Sequence, residues 1–242
     1  MHRFQNCIIL LTVLFSALTF ISCDDTGDRT LAAKYNQAAH DARATSDGGC
    51  IVVGETVTAG GSMPDFYVVK LDSTGRVQWS KTEGGSRLDS ACSVRVTGDG
   101  GYIVAGVTES SGPGDPNNYG SYGNMMVVKY GPTGTKQWLN VYGNELYEGC
   151  AEVVQTSDGG YIVAWSDAND YYAAPEINIR RYAANGTAIG SEVRVDSVSE
   201  YASSPSVAGL SDGGFVVVFD DAQSNQIYSR RYRPDGGDTW SR

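Results

Sequence analysis

Four times along the chain an apolar run stops at Asp-Gly-Gly and then resumes: ARATSDGGCIVVGET, SVRVTGDGGYIVAGVT, AEVVQTSDGGYIVAWSD and PSVAGLSDGGFVVVFDD. The glycine pairs begin at Gly48, Gly100, Gly159 and Gly213, spaced 52, 59 and 54 residues apart. Each flanking run is short, rich in Val, Ile, Tyr and Phe, and bounded by turn residues, which is the signature of strands. Asp-Gly tolerates positive φ at little cost, so each interruption reads as a hairpin. Runs such as YIVAGV, MMVVKY and FVVVF are apolar without alternation, as expected where both faces of a sheet are covered.

Between one Asp-Gly-Gly and the next lie two more strand-like runs: DFYVVKL and RVQWSKT, NMMVVKY and TKQWLNV, EINIRRY and AIGSEVRV, QIYSRRY and DTWSR. They are joined by DSTG, GPTG, AANG and RPDG. Each repeat therefore holds four strands, and a small sheet that needs a neighbour on each face is a propeller blade. The expected fold is all-β, a β-propeller built from four four-stranded antiparallel blades at about 39–83, 91–142, 150–195 and 203–242. The inner strands fall at 39–45, 91–97, 150–156 and 204–210. They open on small residues (Ala39, Ala91, Cys92, Cys150, Ala151, Ser203, Ser204), as a crowded axis requires. Four blades can close into a ring, the arrangement expected here; pairing with a second copy to make eight blades, or an open fragment, are the alternatives.

The strand order resembles a WD-repeat blade, with a Trp-bearing outer strand. TSDGGYIVAG together with VVKLDSTGRVQWSKTEGG resembles the repeat of bacterial surface and secreted β-propeller proteins, and SPSVAGLSDGGFVVVFDD with IYSRRYRPDG resembles a related one. The resemblance covers residues 39–242 and implies architecture, not a ligand. RPDGGDTW (233–240) resembles the Asp-box of sialidase-type propellers, with Arg233 where Ser or Thr is usual. In that family the box stabilises turns away from the active site, so it implies no glycosidase activity. In DSTGRVQW, GPTGTKQW and RPDGGDTW the Trp follows the turn glycine by four residues (Trp79, Trp138, Trp240).

Ahead of the repeats, MHRFQN precedes the uncharged run IILLTVLFSALTFIS. As a helix this run is about 22 Å long, short of the ~30 Å hydrocarbon core, so it reads as the centre of a signal peptide. Phe20-Ile21-Ser22-Cys23 resembles the bacterial lipoprotein box. The resemblance implies removal of residues 1–22 and lipidation of Cys23, with residues 23–38 as a polar tether. The expected location is the bacterial cell envelope, at the outer membrane or cell surface, with the membrane leaflet left open.

Composition narrows the chemistry. With net charge −10 and pI near 4.6 the chain repels phosphate backbones, so nucleic acid is not an expected partner. Apart from Cys7 and Cys23, the cysteines are Cys50, Cys92 and Cys150; they read as small buried thiols, with a Cys92–Cys150 bridge as the alternative. No CxxC pair or Cys/His cluster suggests zinc. His2 and His40 supply no triad. Arg181 and Arg231 align with Lys70 and Lys129, one base per third strand, which reads as scaffold with the stem packed and the head in water.

In a propeller the loops joining second to third strands, and each blade to the next, share one end. Here they carry fourteen acids, among them Asp65, Glu83, Asp89, Glu109, Asp167, Glu176, Asp220 and Asp221, against the single base Arg87. The longest insertions, 108–123 and 166–176, place Asp115, Tyr119, Tyr122, Asp167, Asp170, Tyr171 and Tyr172 there as the candidate ligand face. Rings beside carboxylates suit a glycan or a protein ligand. Ca²⁺ also suits these oxygens, yet no DxDxDG loop is present, so no cofactor or metal is expected. The reading is a membrane-anchored, non-enzymatic binding module. A glycan-directed hydrolase using loop carboxylates, a structural surface module that self-associates, and a merely solvated acidic end stay open.

Overall fold

Asp-Gly-Gly folds as it does because each of its three residues meets a different constraint. In the second repeat Gly100 has φ +77°, the left-handed conformation that closes the hairpin. A Cβ on Gly101 would lie 2.3 Å from the Tyr130 carbonyl oxygen of the third strand, so only glycine lets that strand pass. The Asp99 carboxylate accepts from the Gly101 amide (3.0 Å), the Thr97 hydroxyl and the Lys129 ammonium (2.9 Å). The turn is closed by Gly100 N–H donating to Thr97 O and Thr97 N–H donating to Gly101 O, and the same pair of bonds recurs at all eight turns of this end of the molecule. These are three-residue hairpins with a left-handed glycine, a geometry that suits twisted antiparallel strands.

The computed structural model describes residues 37–110, 123–143, 147–149, 151–168, 175–195, 202–221 and 223–241. Among these there is no helix. The first sheet comprises β1 (Gln37–Ala44), β2 (Cys50–Val57), β3 (Pro64–Leu71) and β4 (Val77–Glu83); the second, β5 (Asp89–Val96), β6 (Tyr102–Thr108), β7 (Asn124–Tyr130) and β8 (Lys136–Tyr142). In the third, a two-residue β9 (Tyr147–Glu148) and β10 (Glu152–Gln155) both pair with β11 (Tyr161–Ala168), followed by β12 (Glu176–Tyr182) and β13 (Ala188–Arg194). The fourth contains β14 (Ala202–Gly209), β15 (Phe215–Asp221), β16 (Gln226–Tyr232) and β17 (Asp238–Ser241). All four are antiparallel meanders in chain order, a propeller-like arrangement.

The sheets pack in succession. Ile51, Val53, Phe66 and Val68 of the first meet Ala91, Val94, Tyr102, Val104 and Tyr130 of the second. Ile103, Ala105, Met125 and Val127 then meet Val153, Tyr161, Val163 and Trp165 of the third. Ile162, Ala164, Ile177 and Ile179 meet Val207, Phe215, Val217 and Phe219 of the fourth. Two of the three junctions are stapled by an outer-strand tryptophan. Trp79 lies over Tyr102 (5.6 Å between ring centroids) and Trp138 over Tyr161 (5.7 Å). Turn glycines Gly134 and Gly186 sit beneath these indoles, where a Cβ would approach within 2.7 Å. The third sheet has exposed Ile189 opposite Arg181 instead, and its junction relies on the stacked Phe215–Tyr232 pair beyond it.

Inner strands add a repeated polar link. Asp41 Oδ2 accepts from Val94 N–H (3.0 Å), Ser93 Oγ from Val153 N–H (3.4 Å) and Glu152 Oε2 from Val207 N–H (3.0 Å). Arg95 ties Asp41 to Glu152 by ion pairs at 3.0 and 3.2 Å.

Two expectations are corrected. The third-strand bases do not hold their heads in water in the first two sheets: Lys70 and Lys129 are buried. Each ammonium is shared between the turn aspartate and a backbone carbonyl, Leu71 O at 2.8 Å or Tyr130 O at 2.9 Å. Cys92 is disulfide-bonded, with its partner outside the described residues, while Cys50 is a free thiol. The reason is local. Cys92 falls at the bulge between Ala91 and Ser93, where a residue leaves the ladder and its side chain is re-aimed.

The turn aspartates make stability acid-sensitive. The Asp47 carboxyl lies well below the usual range, held first by Lys70, then by the Thr45 hydroxyl and the Gly49 amide. At Asp99 burial pushes upward, but Thr97, Lys129 and Gly101 outweigh it and hold the group at about 2. A depressed carboxyl contributes fully above its unfolded value of 3.8 and loses that contribution as pH falls through the folded value. The urea midpoint is therefore expected to fall steeply between pH 4 and 2, and Asp99→Asn is expected to flatten that fall. At pH 7 Asp99→Ala, which strands Lys129, should cost on the order of 2 kcal/mol, less than for a fully buried pair because half of Asp99 faces water.

Candidate functional site

Opposite the eight tight turns lie the long connections, and there the second strand of each sheet carries a buried polar residue at or next to its end: Thr56, Thr108, Asp167 and Asp221. Of the seven residues of the candidate ligand face, Asp167 is within the described residues; Asp115, Tyr119, Tyr122, Asp170, Tyr171 and Tyr172 lie outside them, as does Cys23.

Asp167 stands on β11 opposite Glu176 on one side and Glu148 on the other in the backbone register. It is buried and accepts a hydrogen bond from Asn178 Nδ2 at 2.9 Å. Burial first, then the charges of Glu192 and Glu176, push its carboxyl up to about 6, against the hydrogen bonds of Asn178 and Trp165. Close by, the Tyr142 hydroxyl donates to Glu192, and the Arg180 guanidinium lies 3.7 Å above the Tyr142 ring with its Nε buried and unpaired. Tyr142 meets Trp165 edge-on at 5.9 Å. A buried carboxyl near neutrality, an arginine and two aromatic rings thus meet where the second and third sheets join.

The charge count read from sequence overstates how open this end is. Glu83 is taken up by Lys136 (2.8 Å) and the Tyr130 hydroxyl (3.0 Å) of the next sheet. Glu176 pairs with Arg194, and Glu109 with Arg87 at 3.5 Å. Asp221 caps the β15–β16 turn through the Gln223 amide (2.8 Å), and Asp220 accepts from the Ser203 hydroxyl (3.1 Å). Asp89 is fully buried; its Oδ2 accepts from Gly85 N–H (2.9 Å) and Ser110 Oγ (2.7 Å), while Oδ1 is unpaired. Sequence reasoning missed Tyr142 and Glu192, and saw Arg180 only as one of a run of third-strand arginines with Arg181, Arg230 and Arg231, because these residues sit on outer and third strands and only the junction of two sheets brings them near Asp167. Among the described residues no group of three or more His, Cys, Asp or Glu is arranged to hold a metal ion.

No family model and no curated protein matches the chain. Solved structures do. A protein of unknown function from Dyadobacter fermentans DSM 18053 is 13% identical with a TM-score of 0.56, over 85% of this chain and 69% of that one. A putative exo-β-1,3-galactanase from Bifidobacterium bifidum s17 is 15% identical with a TM-score of 0.49, over 93% and 74%. A GH43 β-1,3-galactosidase is 15% identical with a TM-score of 0.48, over 84% of this chain and 45% of that one. The first likeness speaks to the fold alone; the other two are too slight to argue from.

Asp167 makes a specific prediction. Because its folded value is raised, its ionisation opposes folding as pH climbs from 3.8 through about 6. Asp167→Asn, which stays neutral, is expected to be more stable than wild type at pH 7 by on the order of 2 kcal/mol, since each tenfold change in proton affinity is worth about 1.4 kcal/mol. In urea titrations the difference should vanish near pH 4. A difference independent of pH would show that Asp167 is not the titrating group.

Proposed function

We propose that the chain is a binding module of the bacterial cell envelope, lipid-anchored at Cys23, which presents the end bearing the long connections to a glycan or protein ligand. The observation that carries this reading is the inequality of the two ends. One is closed by eight near-identical hairpins with no room for elaboration, and the other carries every long connection. Rigid sheets with variable loops at one end are the usual platform for recognition. With most described acids there already engaged, recognition falls to the loop residues Asp115, Tyr119, Tyr122, Asp170, Tyr171 and Tyr172. The disulfide at Cys92 favours export, since such bonds persist in oxidising compartments.

A second reading rests on Asp167. A buried carboxyl raised to about 6 suits a general acid, and hydrolysis of a glycan is the reaction such a group serves. In that reading Asp167→Asn abolishes turnover and leaves binding intact.

A glycan array probed with wild-type protein and with a variant carrying Tyr119→Ala, Tyr122→Ala, Tyr171→Ala and Tyr172→Ala separates these. Retention by wild type and loss of at least tenfold in the variant is expected; equal retention would remove this surface from consideration. Thiol counting tests the export reading. The mature chain is expected to show Cys50 alone free when denatured, and Cys92 and Cys150 only after reduction, with palmitate label incorporated at Cys23 and lost in Cys23→Ala.

A further inference from the structure

Three junctions join the four sheets, and two elements stand outside them: the forward face of the fourth sheet, exposed at Ile227, and the inner strand β1 of the first, half-buried or exposed. At each existing junction the inner strand of one sheet lies across the face of the sheet before it: β5 on the first, β10 on the second, β14 on the third. The positions that receive it are equivalent by register. Phe66, Met125, Ile177 and Ile227 occupy the same place on β3, β7, β12 and β16. Their exposures are 0%, 2%, 0% and 78%. Val216 and Val218 on the same face of the fourth sheet are half-buried, where their counterparts Ile51, Ile103 and Ile162, and Val53, Ala105 and Ala164, are buried. Among the described residues the fourth and first sheets share no comparable packing.

The polar link between inner strands tells the same story. Asp41, Ser93, Glu152 and Ser206 are equivalent in register, and the first three each accept the amide that follows the equivalent residue of the next sheet. Ser206 accepts no such amide and donates its hydroxyl back to Glu152 at 2.9 Å. The amide left without an upstream sheet is Ala42 N–H, which folds back on its own Asp41 at 2.8 Å. The opposite face of the first sheet is buried at Val52, Val69 and Leu71, so the element that remains to dock is β1, whose side chains are half-buried or exposed.

We infer that the fourth sheet receives β1 of a second copy of this chain, head to tail, and that two such junctions close a ring of eight sheets. A second copy is the occupant because the missing junction needs a β1-type strand and a β14–β16-type face, and each chain has one of each unpaired. A head-to-tail contact that closes after two copies leaves no free end.

The full-length chain carrying Ala42→Cys and Ser206→Cys, with single-cysteine controls, tests this under mild oxidation. A disulfide-linked dimer on a non-reducing gel, with residues 42 and 206 joined in its peptide map, is expected. The same bond within one monomer would show a closed four-sheet ring and overturn the inference; absence of any 42–206 bond would overturn it too. Light scattering on wild type should give twice the mass of a single chain, and Ile227→Asp, at a site too exposed to disturb the fold, should halve it. A wild-type monomer, or a dimer that Ile227→Asp leaves intact, would refute it.

Discussion

The carboxylate of the Asp-Gly-Gly turn is the joint on which each sheet depends. It holds its own hairpin through the second glycine's amide, and it reaches the base on the third strand, so the first three strands of a sheet are fastened at one point. The glycines are required for different reasons. The first bends the chain into a conformation that other residues resist, and the second clears a path for a carbonyl oxygen. Because Lys70 and Lys129 are buried, an apolar interior carries a small group of polar atoms at each such point, and the ammonium's partners satisfy it there. That arrangement makes the end with the turns stiff and uniform.

From this joint the stacking follows. Once three strands of each sheet are in register, one face presents apolar side chains forward to receive the next inner strand, and in the second to fourth sheets the other face packs back on the sheet before. Trp79 and Trp138 extend the first two junctions outward over turn glycines of the next sheet. The third junction has no such indole, so its strength comes from the stacked aromatic pair and the aliphatic centre. The three junctions are of unequal make-up, and the fourth sheet differs again in exposing Ile227 where its equivalents are buried.

At the other end the chemistry is different in kind. Acids that look like a uniform negative surface in one dimension divide into caps, ion pairs and one buried carboxyl. Glu83 illustrates the change: its partners Lys136 and Tyr130 belong to the following sheet, about fifty residues away. Asp167 illustrates the opposite outcome. Glu176 is its neighbour by pairing, Glu192 lies on the outer strand, and their fields add to burial. The same residue type is thus held well below its ordinary value as a structural fastener at Asp47 and Asp99 and pushed above it at Asp167, the difference being what faces it.

The repeated strands, the turns and the equivalence of the four units were legible in the sequence, because hairpin geometry and two-sided burial are local demands that leave a periodic trace in residue type. The one-per-repeat base was visible too, though not that its head is buried, since that depends on how closely the turn aspartate approaches it. Only the tertiary structure decided which acids are spent on neighbouring sheets, that Cys92 is bridged, that Tyr142, Arg180 and Glu192 gather around Asp167, and that Ile227 stands bare where Phe66, Met125 and Ile177 are covered. Those outcomes depend on contacts between residues far apart in the chain, and a periodic pattern of residue types carries no record of which copy of the repeat has lost its neighbour.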